Sequence, residues 1–197
     1  MVKEIGNFEP LKRAFLANEW QWEENEKLYA NILVKNKGEM YLYNYSDAVL
    51  ISRSHSVIVR CRGIVVTKNG KVLNYPFDRF FNDFEAERAH IDWDSSSIQE
   101  KIDGSLCCVF WNGNDWEVTT RGSFYPFEKS SVDFSDLFRE SFDKFDELDK
   151  ECCFMFELCT KDNRIITWYE DDAVYLIGAR NLNTFKEVGV TTLNDID

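Results

Sequence analysis

The sequence predicts an α+β protein, mostly antiparallel sheet with flanking helices. Three observations carry this. Short β-prone apolar runs are separated by tight-turn signals at Asn36-Lys37-Gly38, Asn69-Gly70 and Asn112-Gly113-Asn114. Helical spacing of apolar groups is confined to the first thirty residues and to residues 133–150. The strands follow one another as hairpins with occasional helices, which is the order of an α+β chain.

Each element has its own reason. Phe15, Leu16 and Trp20 stand among Glu and Lys, so the first thirty residues read as helical. From Tyr29 the period changes, and residues 28–34 and 39–43 flank the first turn as a hairpin. Residues 61–67 read as a strand, Asn69-Gly70 suits a type I′ turn, and Val72-Leu73-Asn74 returns. Residues 105–110 are apolar and β-prone, and residues 116–120 return after the third turn. Phe134, Leu137, Phe138, Phe142, Phe145 and Leu148 predict one amphipathic helix over 133–150, its acidic face solvated. Three more strands are predicted, at 153–159, 164–169 and 173–179. There is no internal repeat, low-complexity tract or linker, so residues 1–197 read as a single domain.

Composition bounds the class. The chain has 197 residues, 44% of them hydrophobic and 15% aromatic, which supplies a real core and excludes disorder. No apolar run reaches the roughly 18 residues of a membrane span, and Met1-Val2-Lys3-Glu4-Ile5 lacks a signal-peptide core. The expected location is the cytoplasm, the host cytoplasm if the chain is viral. The net charge of −12 argues against a simple nucleic-acid coat protein. Yet the charge is uneven: +2 over residues 1–70, −5 over 71–132 and −9 over 133–197. A local basic site is therefore open.

The six cysteines are Cys61, Cys107, Cys108, Cys152, Cys153 and Cys159. None form Cys-x-x-Cys, and the two histidines, His55 and His90, lack ligand spacing. Reduced thiols acting as small core residues are expected.

The chemistry-bearing segment is Glu100-Lys101-Ile102-Asp103-Gly104-Ser105-Leu106. It presents a flexible ammonium at a tight turn just before a buried strand. A lysine becomes a nucleophile when burial or neighbouring cations lower its pKa. Taken alone, Lys-x-Asp-Gly also describes an exposed hairpin turn.

The segment is similar to the nucleotidyltransferase signature shared by polynucleotide ligases and mRNA capping enzymes. Four further segments resemble phage-type ATP-dependent RNA ligases, the RNA ligase 1 family, in the same order. They are Arg62-Gly63-Ile64-Val65-Val66, then Pro76-Phe77-Asp78-Arg79-Phe80-Phe81-Asn82, then Thr120-Arg121-Gly122-Ser123, and last Phe156-Glu157-Leu158 with Asn163-Arg164-Ile165-Ile166. The resemblance spans roughly residues 55–185. It implies the nucleotidyltransferase (ATP-grasp-like) domain of such ligases, with ATP and Mg²⁺ as cofactors and RNA 5′-phosphate and 3′-hydroxyl ends as partners.

Residue by residue, the resemblance implies these roles. Lys101 attacks the α-phosphorus of ATP to form lysyl–AMP. Arg62 contacts phosphates or ribose. Arg79 and Arg121 stand where the family has Lys, exchanging a point charge for a planar fork. Phe81 packs near the nucleotide, and Glu100 belongs to the cofactor-binding set. Gly104 lets the backbone approach. Glu157 serves ribose hydroxyl or metal-bound water, as catalytic group and metal contact. Residues 165–169, ending in Trp168 and Tyr169, form the wall under the adenine. Seen alone, Arg62 also fits a solvated strand face, and Phe80, Phe81 and Trp168 also fit a core.

The sequence departs from the family in one way. A Glu-Gly-x-Val strand and a later Lys-x-Lys strand are absent; Lys186-Glu187-Val188-Gly189-Val190 fits neither, and Lys35-Asn36-Lys37 lies at a hairpin. The domain is therefore expected to be partial. It reads as a split subunit needing a second chain, a truncated piece, or a non-catalytic nucleotide- or RNA-binding relic. In the first two cases an open sheet edge is expected near residues 173–180. A DNA ligase or capping-type enzyme is the further alternative.

Overall fold

A computed structural model describes residues 8–46, 55–96, 98–124, 133–162 and 164–189. Met1–Ile5, Asn163 and Val190, which entered the reading above, lie outside the described residues. The chain order is α1 (Glu9–Ala17), α2 (Glu26–Tyr29), β1 (Ile32–Lys37), β2 (Met40–Tyr45), α3 (Ser56–Arg60), β3 (Arg62–Thr67) and β4 (Val72–Asn74). Then come β5 (Ser105–Trp111), β6 (Trp116–Thr120), α4 (Phe134–Ser141), β7 (Cys152–Cys159), β8 (Ala173–Asn181) and β9 (Glu187–Val188).

The strands form two antiparallel sheets, β1-β2-β3-β4 and β6-β5-β7-β8-β9. Side chains on a strand alternate between faces, and that alternation builds three cores. Ile64 and Val66 of β3 join Leu11 and Phe15 of α1 and Ile58 of α3 in the first. Val65 turns the other way and meets Leu42, Leu73, Cys108, Phe110 and Met155 between the sheets. Val109 and Phe154 face the far side with Phe138 of α4. The layers are thus helices, sheet, sheet, helix.

The vicinal cysteines follow the same rule. Cys107 and Cys152 enter the outer core, while Cys108 and Cys153 enter the core between the sheets. All six thiols are free and buried, as expected. Burial raises the pKa of each, so each remains a protonated thiol.

Five expectations are corrected. The predicted N-terminal helix is two helices: α1 ends at Ala17, before Trp20, and Asn25 caps the short α2 by accepting the Lys27 amide at 3.1 Å. That cap draws Leu28 and Tyr29 into helix, so the first hairpin strand starts at Ile32. The predicted helix over 133–150 stops at Ser141. Phe142 takes an extended conformation and Phe145 opens a 3-10 turn, because both rings fold back on Phe138, with centroids 5.5 and 6.1 Å away. Burying Phe138 is worth about 1.5–3 kcal/mol, which outweighs continuing an exposed helix.

Residues 164–169 form no strand. The amides of Ile166 and Thr167 are taken by the Asp103 carboxylate instead of a sheet ladder. The expected open edge is partly closed, since β9 pairs with β8 at Ala179 and Arg180. Helix α3, unforeseen in the sequence, is capped by His55, whose Nδ1 accepts the Val57 amide at 3.2 Å.

Candidate active site

After β4 the chain runs through residues 75–104 with no helix or strand among the described residues, then enters β5. Lys101 lies at the end of this run, exposed. Gly104 anchors it. A Cβ there would lie 2.5 Å from the Leu158 carbonyl oxygen and 2.8 Å from Cys159 Sγ. Only glycine lets the turn rest directly on β7.

Two carboxylates bracket this turn. Glu157 on β7 sits opposite Leu106 of β5 in register, and its Oε1 accepts the Gly104 amide at 3.1 Å. Half-burial raises the Glu157 pKa, against the opposing pull of that amide, of Lys101 and of Arg62. Asp103 uses one oxygen to accept the Thr167 amide at 2.6 Å and the Ile166 amide at 2.8 Å. These bonds, Thr167 first, hold its pKa below the ordinary value, and Lys101 adds to the effect. The Tyr169 hydroxyl donates to the Asp103 carbonyl at 2.8 Å, and the Asp103 amide lies 3.3 Å from the same oxygen.

Three arginines converge nearby. Arg62 opens β3, Arg121 follows β6, and Arg79 is fixed by its amide to the Val59 carbonyl at 3.0 Å. Tyr45, at the end of β2, lies under two of them, 4.8 Å from the Arg79 guanidinium and 5.6 Å from that of Arg121. Phe81 lies 5.5 Å from Arg79, and Phe80 lies 5.1 Å from Arg62. Gly63 brings the strands together: its φ is +98°, and a Cβ would meet the Arg121 carbonyl at 3.0 Å. Arg62 has the strand parity of Ile64 and Val66, yet Glu157 and Cys108 both feel its charge. The left-handed glycine and the register shift between Tyr43 and Asn44 interrupt the alternation at that point.

Arg62 Nη1 and Arg79 Nη1 are buried with no hydrogen-bond partner among the described residues. Leaving a buried cationic donor unpaired costs several times what pairing it does. The described residues supply no acceptors for these two nitrogens, and phosphate oxygens match them in charge.

A metal fits less well. Among the described residues no group of three or more His, Cys, Asp or Glu could hold an ion. Glu157 offers a single carboxylate, one oxygen of which is already engaged by Gly104. The described residues by themselves do not build a metal cage.

The structure thus gathers Lys101, Gly104, Glu157 and Tyr169 around one turn, and Arg79, Phe81 and Arg121 around Tyr45, with Arg62 adjoining both. Glu100 is exposed beside Lys101. Phe80 and Trp168 do not enter a core; they are 66% and 60% exposed. Sequence reasoning missed Tyr45, which is one of several alternating tyrosines on β2, and the tethering role of Asp103, which depends on a contact across 63 residues.

The fold is that of ligase nucleotidyltransferase domains. An archaeal ATP-dependent RNA ligase superimposes with a TM-score of 0.56 at 13% identity, over 86% of this chain and 45% of that one. A chain named as an ATP-dependent DNA ligase from Aquifex aeolicus gives 0.53 at 12% identity, over 94% and 46%.

The chain belongs to the RNA ligase family, whose model matches residues 60–196. It is 32% identical, over 80% of its length, to a protein of Autographa californica nuclear polyhedrosis virus named as a bifunctional polynucleotide kinase/RNA ligase. It is 27% identical, again over 80%, to an RNA ligase of Rhodothermus phage RM378. The chain spans 28% and 45% of the lengths of these two relatives. No helix among the described residues is long and apolar enough to cross a membrane.

Proposed function

We propose that these residues form the nucleotide-charging part of an ATP-dependent RNA ligase. The observation that carries this is the pair of guanidinium nitrogens of Arg62 and Arg79, buried with no partner among the described residues, with the charge of Arg62 felt by Glu157 at the Lys101 turn. The amine of Lys101, its proton lost to solvent, attacks the α-phosphorus of ATP. A P–N bond forms, the bond from the α-phosphorus to the bridging oxygen breaks, and pyrophosphate leaves with the electron pair. The AMP then passes to an RNA 5′-phosphate, freeing Lys101. Attack by an RNA 3′-hydroxyl joins the ends and releases AMP.

The chain's residues divide this work. Arg62, Arg79 and Arg121 neutralise phosphate charge that grows in the transition state. Phe81 packs near the nucleotide, Glu100 adjoins it, and residues 165–169 flank it. Gly104 lets backbone approach, and Glu157 serves ribose hydroxyl or metal-bound water. Glu157 would be the protein contact for an Mg²⁺ bound along with the triphosphate, which would supply further charge neutralisation. A second chain carrying Glu-Gly-x-Val and Lys-x-Lys strands is a partner in this proposal. The viral relatives support a host-cytoplasmic setting.

The test is incubation with ATP labelled at the α-phosphate and Mg²⁺, then a denaturing gel. A labelled band lost in Lys101→Ala supports the reading. Tight ATP binding without a band, even with such a second chain added, favours a binding module. No ATP binding at all sinks both.

A further inference from the structure

We infer that Tyr169 is a positioning residue for the nucleophile, acting through its hydroxyl on the Asp103 peptide; this rests on Lys101 being the nucleophile. The resemblance assigns Tyr169 only to a wall under the adenine, a task the ring alone performs. The structure gives its hydroxyl a different task. It donates to the Asp103 carbonyl at 2.8 Å and lies 3.3 Å from the Asp103 amide, so one oxygen serves both ends of that residue. Cys159 Sγ approaches the same carbonyl at 3.7 Å. The Asp103 side chain completes the bracket by accepting the Ile166 and Thr167 amides.

These bonds matter because neither partner has regular structure. Residues 101–104 precede β5, and residues 164–169 lie between β7 and β8 with no ladder of their own. Lys101 is exposed and stands two residues from Asp103. Its turn is fixed by Gly104 on one side and by the Tyr169–Asp103 bracket on the other. A nucleophile displaced by about 1 Å loses roughly 100-fold in rate while the substrate still binds.

The experiment is Tyr169→Phe, which keeps the ring and removes the hydroxyl. ATP affinity is measured by calorimetry, and lysyl–AMP formation by single turnover with α-labelled ATP. The expected result is a rate lower by about 10- to 100-fold with ATP affinity unchanged, and Tyr169→Leu losing affinity as well. An unchanged rate overturns the inference while leaving Lys101 as the nucleophile. A parallel fall in affinity also overturns it, because the hydroxyl then contacts nucleotide. Asp103→Asn is the second variant: it leaves the Tyr169 ring untouched and is expected to slow the same step without loss of affinity. A full rate in that variant counts against the bracket. If wild type forms no adduct under conditions where ATP binds, with a second chain carrying the Glu-Gly-x-Val and Lys-x-Lys strands supplied, the nucleophile assignment itself fails.

Discussion

The amide of Gly104 donates to Glu157 Oε1 at 3.1 Å, joining the turn that carries Lys101 to the middle strand of the larger sheet. This bond ties the carboxylate to the same backbone that presents Lys101, the proposed nucleophile. Half-burial on that strand raises the Glu157 pKa against the opposing pull of the Gly104 amide.

Glu157→Gln separates the bond from the charge. A carboxyl whose pKa is raised by folding holds more protons in the folded state, so its contribution weakens stability as pH rises from about 4.3, the ordinary Glu value, through the raised one. Gln keeps an oxygen for Gly104 and removes the buried charge. The expected thermal midpoint at pH 7 is no lower than wild type, and the midpoint loses that pH slope. Lysyl–AMP formation falls by roughly 100-fold or more.

Asp103 runs the opposite way. Its pKa is lowered by the Thr167 and Ile166 amides, so its contribution is fully present above about 3.9 and is lost as pH falls through the folded value. The amide resonances of Ile166 and Thr167 should therefore shift together on acidification, with a midpoint below about 3.9. A midpoint at or above that value contradicts the tether.

Gly104→Ala places a methyl 2.5 Å from the Leu158 carbonyl, which is backbone and cannot swing aside. Overpacking of this kind costs about 1–3 kcal/mol, a fall in thermal midpoint of roughly 2–4 °C per kcal/mol in a chain of this size. A calorimetric scan checks it.

Tyr45→Leu removes the ring that Arg79 and Arg121 share. Two contacts worth about 0.5–1 kcal/mol each are lost, so ATP affinity should weaken by roughly 5- to 30-fold. Equilibrium titration with ATP reads this directly, and an unchanged affinity places the nucleotide elsewhere.

The thiols offer a test independent of activity. All six cysteines are buried and free, and burial raises their pKa values. A thiol reagent should react slowly with the native chain and release six equivalents after denaturation. Rapid reaction of Cys107 or Cys108 in the native state would contradict their burial in the cores on the two sides of β5.

Much of the fold was legible because its information is local. Asn69-Gly70 and Asn112-Gly113-Asn114 each mark a hairpin, the first hairpin turns at Gly38-Glu39 with Asn36 and Lys37 still paired in its strand, and the strands beside these turns carry β-prone apolar runs. The failures share a cause. Residues 133–150 keep a helical period, yet the Phe142 and Phe145 rings gain more by packing on Phe138 and Phe156. Residues 164–169 are β-prone, yet their amides find a carboxylate from a distant turn.

The same division holds for the site. By itself the sequence determined the reduced state of the cysteines, the position of Lys101 before a buried strand, and the ordered set of segments around it, because each depends on residue type and neighbours in the chain. Only the tertiary structure decided that Arg62 escapes its strand face through the left-handed Gly63, that Tyr45 gathers Arg79 and Arg121, and that Asp103 and Tyr169 lock the turn. The last two relationships join residues 34 to 76 positions apart in the chain, and at such separations contact is set by how sheets pack, which no local pattern encodes.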